Sequence, residues 1–253
     1  MDSVTVLDHG FVTLHNISGP TRRQDVWSVF NDDGDIQRSL SESHAFDADD
    51  TDPANTARMS FNQMNSGRTR EQDLKLAEYL MKNKHTTPFE MIEVWLEMKM
   101  PIFVARQFVR HRTVSINEVS ARYTTLPAEW YIPDVVGGKA PNAKQGQADN
   151  LDGAIDLWFK LNLTDQCSKS YRMYRRAIEL GVAPEHARMF LHLNHYTHWI
   201  WKQDLHNLMH FLSLRDHPHA QVEAQAYAKA IDGLIRQHLP HCMALYDTYR
   251  RMP

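Results

Sequence analysis

Apolar and polar residues alternate in two early stretches of the chain. Val4 and Val6, then Phe11, Val12, Leu14 and Ile17, alternate loosely and predict a short strand pair. Ile92, Val94, Leu96, Met98 and Met100 alternate with Glu93, Trp95, Glu97 and Lys99, the period of a strand with one buried face. Pro101 ends that strand and suits the first turn of a helix, whose apolar stripe would be Ile102, Ala105, Phe108 and Val109, with Phe103, Gln107 and Arg110 on another face. Helical spacing also marks Leu74, Ala77, Leu80 and Met81. Thr69 and Gln72 form a capping-box pair before them, and Lys82 and Lys84 follow, so residues 70–84 are predicted to be a helix.

Further along, residues 196–203 read as a strand, and Asp204 as the cap of a helix that turns Leu205, Leu208, Met209 and Leu212 inward. A helix opening at Pro184, with Glu185 at its positive end, would aim Arg188 from a rigid element, with Met189 and Phe190 as packing residues. Residues 222–238 form another amphipathic helix, burying Val222, Ala226, Ile231, Leu234 and Ile235. Trp95, Trp199 and Trp201, alternating aromatics, are assigned to the core. Two stretches break these patterns. Thr21 to Thr56 is polar and acidic, and Val135 to Asp152 carries Gly137-Gly138, Pro141 and several amides, separating two helical regions. The expected architecture is α+β: one compact domain over residues 1–253, helices packed around a sheet, and two polar surface loops at about 21–56 and 135–152.

The composition narrows the function. The 253 residues hold 28 Lys plus Arg against 31 Asp plus Glu, a net charge of −3 that argues against a general basic nucleic-acid binder. With 42% hydrophobic residues the chain is not a disordered one. The N-terminus lacks a basic start and apolar run, and no long uncharged apolar stretch occurs, so no membrane association and a cytoplasmic location are expected. Only Cys167 and Cys242 occur, without a CxxC pair.

Histidine is abundant, with 15 copies, ten of them between His186 and His241. His206 and His210 are four apart, and His192, His195 and His198, or His217 and His219, could also approach one another. No HExxH or acidic ligand at a diagnostic interval accompanies them, and a strand at 196–203 would separate the upstream set, so no metal site is assigned. Residues 106–122, RQFVRHRTVSINEVSAR, set Arg106, Arg110, Arg112 and Arg122 against the single acid Glu118. On a helix Arg106 and Arg110 would face the same way, at a small repulsive cost that an anion would offset. The segment reads as a phosphate cradle or as a solvated charged face.

Arg110, His111 and Arg112, followed after seven residues by Ser120, reproduce the RHRx7S motif, and the chain resembles the flavin-dependent thymidylate synthase family. The resemblance extends through VLDHGFV (6–12), ARMSF (57–61), EYLMKNKHTTPFE (78–90), PIFVARQ (101–107), NEVSARY (117–123), LMHFLSLR (208–215) and HAQ (219–221). It implies reductive methylation of dUMP to dTMP. Methylenetetrahydrofolate would donate the carbon, and FAD, re-reduced by the nicotinamide nucleotide NADPH, would supply hydride. No cysteine nucleophile is implied, and neither thiol lies near the arginine motif in sequence.

By resemblance, Arg215 is the catalytic residue that activates the pyrimidine, by stabilising negative charge as it develops. dUMP would be held by Gln107, Arg110, Ser120, Ala121, Arg122, Arg188 and Arg215. FAD would be held by Ser60, His85, Thr87, Arg110, His111, Arg112 and Glu118, joined by Asp204, His206 and His210 from a neighbouring subunit of a homotetramer. No GxGxxG occurs, so the flavin site would not be of the Rossmann kind. Residue chemistry alone leaves two other readings: a metal-dependent hydrolase using the C-terminal histidines, and a nucleotide- or RNA-binding module using residues 106–122.

Overall fold

The computed structural model describes residues 2–20, 28–30, 36–38, 47–64, 68–139 and 147–252. The alternating N-terminal residues form a hairpin of β1 (Asp2–Val6) and β2 (Gly10–Ser18), turned at Leu7 with φ 60°. Gly10 is required there by a close approach: a Cβ would lie 1.9 Å from the hydroxyl of Tyr227, which donates to the Lys99 carbonyl at 2.7 Å. A small hairpin, β3 (Ser28–Phe30) with β4 (Ile36–Arg38), falls within the acidic stretch, most of which lies outside the described residues.

The end of that stretch is structural, contrary to the expectation of a projecting loop through Thr56. Asp50, Thr51 and Asp52 are buried, and α1 (Asp52–Arg58) begins there with Pro at its start. Asp50, 2% exposed, accepts from the backbone N–H groups of His241 (3.0 Å) and Cys242 (2.8 Å). Those groups open a distant helix whose own cap residue, Leu239, has no side-chain acceptor, so the acid offsets an otherwise unsatisfied helix start.

The predicted capping box is present, with Thr69 and Gln72 each accepting from the other's backbone, at the head of α2 (Arg70–Lys82). The short α3 (Thr87–Glu90) leads into β5 (Glu93–Pro101), and Pro101 then caps α4 (Ile102–Phe108). Two details of the sequence reading change here. Val109 is exposed, and α4 ends before Arg110, so Arg106 and Arg110 do not share a helical face.

Next come β6 (Val114–Glu118), a small hairpin of β7 (Gly137–Lys139) with β8 (Gln147–Asn150), and the long α5 (Gly153–Glu179). Of the second polar loop, residues 140–146 lie outside the described set. The Pro184 helix is one turn only, α6 (Pro184–Ala187). Arg188, Met189 and Phe190 form a 3-10 turn and are exposed rather than packed, because this connection leaves the core before β9 (Tyr196–Asp204) re-enters it.

Asp204 caps α7 (Leu205–Arg215), whose Leu205, Leu208, Met209 and Leu212 are buried as expected. The last helices are α8 (Val222–His238) and α9 (Pro240–Tyr249). The buried face of α8 is rotated from the one predicted: Val222 is exposed, while Glu223, Ala224, Tyr227 and Ala228 join Ile231, Leu234 and Ile235 inside.

The main sheet is five-stranded and antiparallel, in the order β1-β2-β5-β9-β6. One face carries Val12, Leu14, Val94, Leu96, Met98, Trp199 and Trp201, packed against residues of α2, α7, α8 and α9 in a single large core. Trp95, on the opposite face, is exposed rather than core. The α+β class, with helices on a sheet in one compact unit, is as expected. No described helix is long and apolar enough to cross a membrane.

Candidate functional site

The end of α4, the end of α7 and the start of α8 meet around Arg215. Its Nε donates to Nε2 of His111 at 3.1 Å, and its Nη2 donates to the Gln107 carbonyl at 3.2 Å. Helix α7 carries Arg215 from its buried face, and α4 stops at Phe108, so that its open last-turn carbonyl can accept from the guanidinium. The Gln107 side chain donates to Gln221 at 2.6 Å, which ties α4 to the residue capping α8.

Accepting at Nε2 requires a neutral His111 with its proton on Nδ1. Its surroundings enforce that state. Burial, then the Arg215 and His210 charges, lower its pKa to about 4, and its ring stands edge-on to Phe211 at 4.9 Å. Burial also lowers the Arg215 pKa from its ordinary value, though a guanidinium stays charged. Among the described residues Arg215 has no carboxylate partner; its neighbour Asp216 pairs instead with Arg251, leaving an oriented cation with unspent donors.

A second group lies beyond β6. Glu118, paired with Trp199 across the sheet, accepts from the Thr197 hydroxyl. Val119 N–H then donates to the His198 carbonyl at 2.8 Å, which fixes where the chain leaves the sheet. The Ser120 hydroxyl accepts from Arg122 N–H at 3.3 Å, and Ala121 is buried in the same turn. Arg122 is exposed and meets Glu185 at 3.4 Å. That contact brings the turn beside α6 and therefore near Arg188, which is exposed at the head of the following 3-10 turn. Arg110 and Arg112 are exposed in the connection from α4 to β6.

A third group surrounds a cavity of about 580 Å³ between α1, α2 and α3, where Ser60, His85 and Thr87 come together. Tyr79 stacks on His85 with ring centroids 6.1 Å apart. Phe61 on the same rim is 77% exposed, an aromatic face with little covering it. The buried ion pair of Arg58 with Asp73 braces the wall behind.

The three α7 residues separate. Asp204 is occupied at its helix start, accepting from Asn207 N–H at 2.9 Å and from the Asn207 amide at 2.7 Å. His206 accepts from Arg250 at 2.6 Å, and burial followed by the Arg250 charge lowers its pKa. His210 instead turns its ring towards His111, at 6.4 Å. Among the described residues no group of three or more His, Cys, Asp or Glu is arranged to hold a metal.

Two contact residues of these groups were not singled out in the sequence. Gln221 lies in the HAQ segment, but its partnership with Gln107 spans 114 positions. Arg250 sits near the C-terminus and carries no motif.

Comparison with known proteins gives a consistent answer. The family described as "Thymidylate synthase complementing protein" matches residues 43–241. A flavin-dependent thymidylate synthase from Gluconobacter oxydans is 41% identical over 250 residues, covering 97% of this chain and 72% of that protein. One from Thermus thermophilus is 42% identical over 203 residues, covering 79% and 73%. Among solved structures, a UMP/dUMP methylase, PolB from Streptomyces cacaoi bound with 5-Br dUMP, shares the fold with a TM-score of 0.79, 23% identity, and coverage of 98% of this chain and 99% of that one. The chain therefore belongs to the flavin-dependent thymidylate synthase family and is a flavoprotein methyltransferase of thymidylate biosynthesis.

Proposed function

We propose that this chain methylates dUMP to dTMP with methylenetetrahydrofolate as carbon donor, using FAD that NADPH re-reduces, and without a thiol nucleophile. The observation that carries the reading is the Arg215 arrangement: a half-buried guanidinium, oriented by His111 and the Gln107 carbonyl and paired with no carboxylate among the described residues. Such a group stabilises negative charge developing on a pyrimidine and needs little reorganisation as it does so.

Ser120, Ala121, Arg122 and Arg188 would hold the nucleotide phosphate, together with Arg110 and the Gln107 amide. A dianion would displace Glu185 from Arg122, since an exposed ion pair contributes little. The chemistry of the cavity between α1, α2 and α3 fits a flavin: hydroxyls of Ser60 and Thr87, the His85 imidazole, and uncovered aromatic faces at the rim. Its volume also lies in the ordinary range of ligand sites, roughly 300–1,000 Å³. When bound, FAD supplies the hydride that completes the methyl group. Arg110, His111, Arg112 and Glu118 would hold its remaining parts, with His111 acting chiefly through Arg215.

The thiols support the absence of a covalent nucleophile. Burial raises the pKa of Cys167, and burial with Asp50 raises that of Cys242 well above its usual value, so neither is poised as a thiolate. A homotetramer in the cytoplasm is part of the same reading. Helix α5 exposes Ile155, Leu157, Trp158 and Leu161, an apolar face suited to a second copy, and Asp204, His206 and His210 would then border a neighbour's flavin. The test is dTMP formation by purified, FAD-supplemented protein, omitting dUMP, methylenetetrahydrofolate or NADPH in turn. Each omission should abolish product; no product from the complete mixture would overturn the reading.

A further inference from the structure

A separate cavity of about 490 Å³ lies between the segment 131–137, helix α5 and the turn at 192–194, and none of its lining residues has a role in the sites above. Its walls are largely apolar, with Phe103, Phe159, Leu163 and Leu193 among them. Its charged lining group is Glu223, in the first turn of α8. Glu223 is only 5% exposed, its Oε2 is buried without a hydrogen-bond partner, and it forms no ion pair among the described residues. The Tyr131 hydroxyl beside it donates to the Glu223 carboxylate, and its pKa is pushed up by burial, then by the Glu223 charge and that hydrogen bond, so the acid has one neutral donor and no cation.

A carboxylate removed from water and given no cation is costly. The positive end of α8 offsets only part of that cost, equivalent to about half a unit charge. A ligand that brings its own cation and an apolar body would satisfy both the acid and the walls. We propose that this cavity binds a small planar aromatic cation of the arylamidine class, its N–H edge paired with Glu223 and its ring against Phe103, Tyr131 and Phe159.

The cavity is connected to the Arg215 arrangement. Phe103 lies one turn before Gln107 on α4, and Glu223 lies two residues after Gln221, while Gln107 and Gln221 are hydrogen-bonded to each other.

The experiment is isothermal titration of the full-length protein with benzamidine, and with benzoate, its anionic counterpart of similar shape. Benzamidine should bind at one site per chain and benzoate should not. Glu223→Gln, which preserves the side-chain shape, and Leu163→Trp, which fills the chamber from α5, should each weaken benzamidine at least about tenfold. Absence of benzamidine binding to the wild-type protein, as would follow if a side chain from a second copy filled the chamber, overturns the proposal. So does comparable binding of benzoate, a comparison that needs no variant, or unchanged affinity in either variant that retains the wild-type melting profile.

Discussion

Arg215 and Arg122 are both cations of the proposed nucleotide site, yet the chain treats them oppositely. Arg215 is half-buried, fixed by a neutral imidazole and a backbone carbonyl, and free of any described carboxylate partner. Arg122 is exposed and rests against Glu185. The first arrangement is suited to stabilising charge that appears only during reaction, because its field is less screened by water and its orientation is set in advance. The second is suited to an anion present from the outset, which exchanges one carboxylate partner for a stronger phosphate one. Exposure and pairing thus divide the work between two residues of the same type.

The largest expected effect is on Arg215. Arg215→Ala should lower dTMP formation by about 10²–10³-fold or more while bound flavin is retained; near-normal turnover would erase the distinction just drawn. For Arg122→Ala the expected loss is in dUMP affinity, roughly tenfold to a hundredfold in KM with kcat largely preserved. An equal fall in kcat would place Arg122 in the reaction itself.

A third prediction concerns His111. Its pKa of about 4 lies below the ordinary 6.5 because burial, then neighbouring cations, oppose protonation. As pH falls from about 6.5 towards 4, the unfolded chain takes up a proton that the folded chain rejects, so this contribution to stability is lost over that interval. The Tm of the wild-type protein should therefore fall more steeply than that of His111→Gln between pH 6.5 and 4.5, by about 2–4 °C after allowing for partial solvent screening. Parallel curves would show that His111 is not the imidazole held neutral. Glu185→Gln should have the smallest effect, tightening dUMP less than about threefold, since an exposed ion pair is worth under about 1 kcal/mol. Weakened binding in this variant would mean that Glu185 orients Arg122 rather than competing for it.

Much of the framework was legible along the chain. The alternation of residues 92–100 predicts β5, and the capping residues Thr69 and Asp204 mark the starts of α2 and α7, because each signal lies within a few residues of the backbone it governs. The RHRx7S motif identified the family for the same reason, as a short string read in order. The structure departs from the sequence pattern where partners are remote, or where a helix stops short of its pattern. Asp50 looked like part of an acidic loop because the helix start it caps lies 191 and 192 positions away. Arg106 and Arg110 looked like neighbours on a helix that in fact ends between them.

By itself, then, the amino-acid order determined the α+β class, the principal strands and helix starts, and the residues held in common with the family. Local periodicity and capping depend on neighbours in the chain, so they survive without knowledge of the fold. Only the tertiary structure decided that His111 supports Arg215 from 104 positions away, that His206 is taken up by Arg250, and that Glu223 lies buried beside an apolar chamber. Those outcomes depend on which surfaces meet when the chain closes, and hydrogen bonding and burial are properties of that meeting.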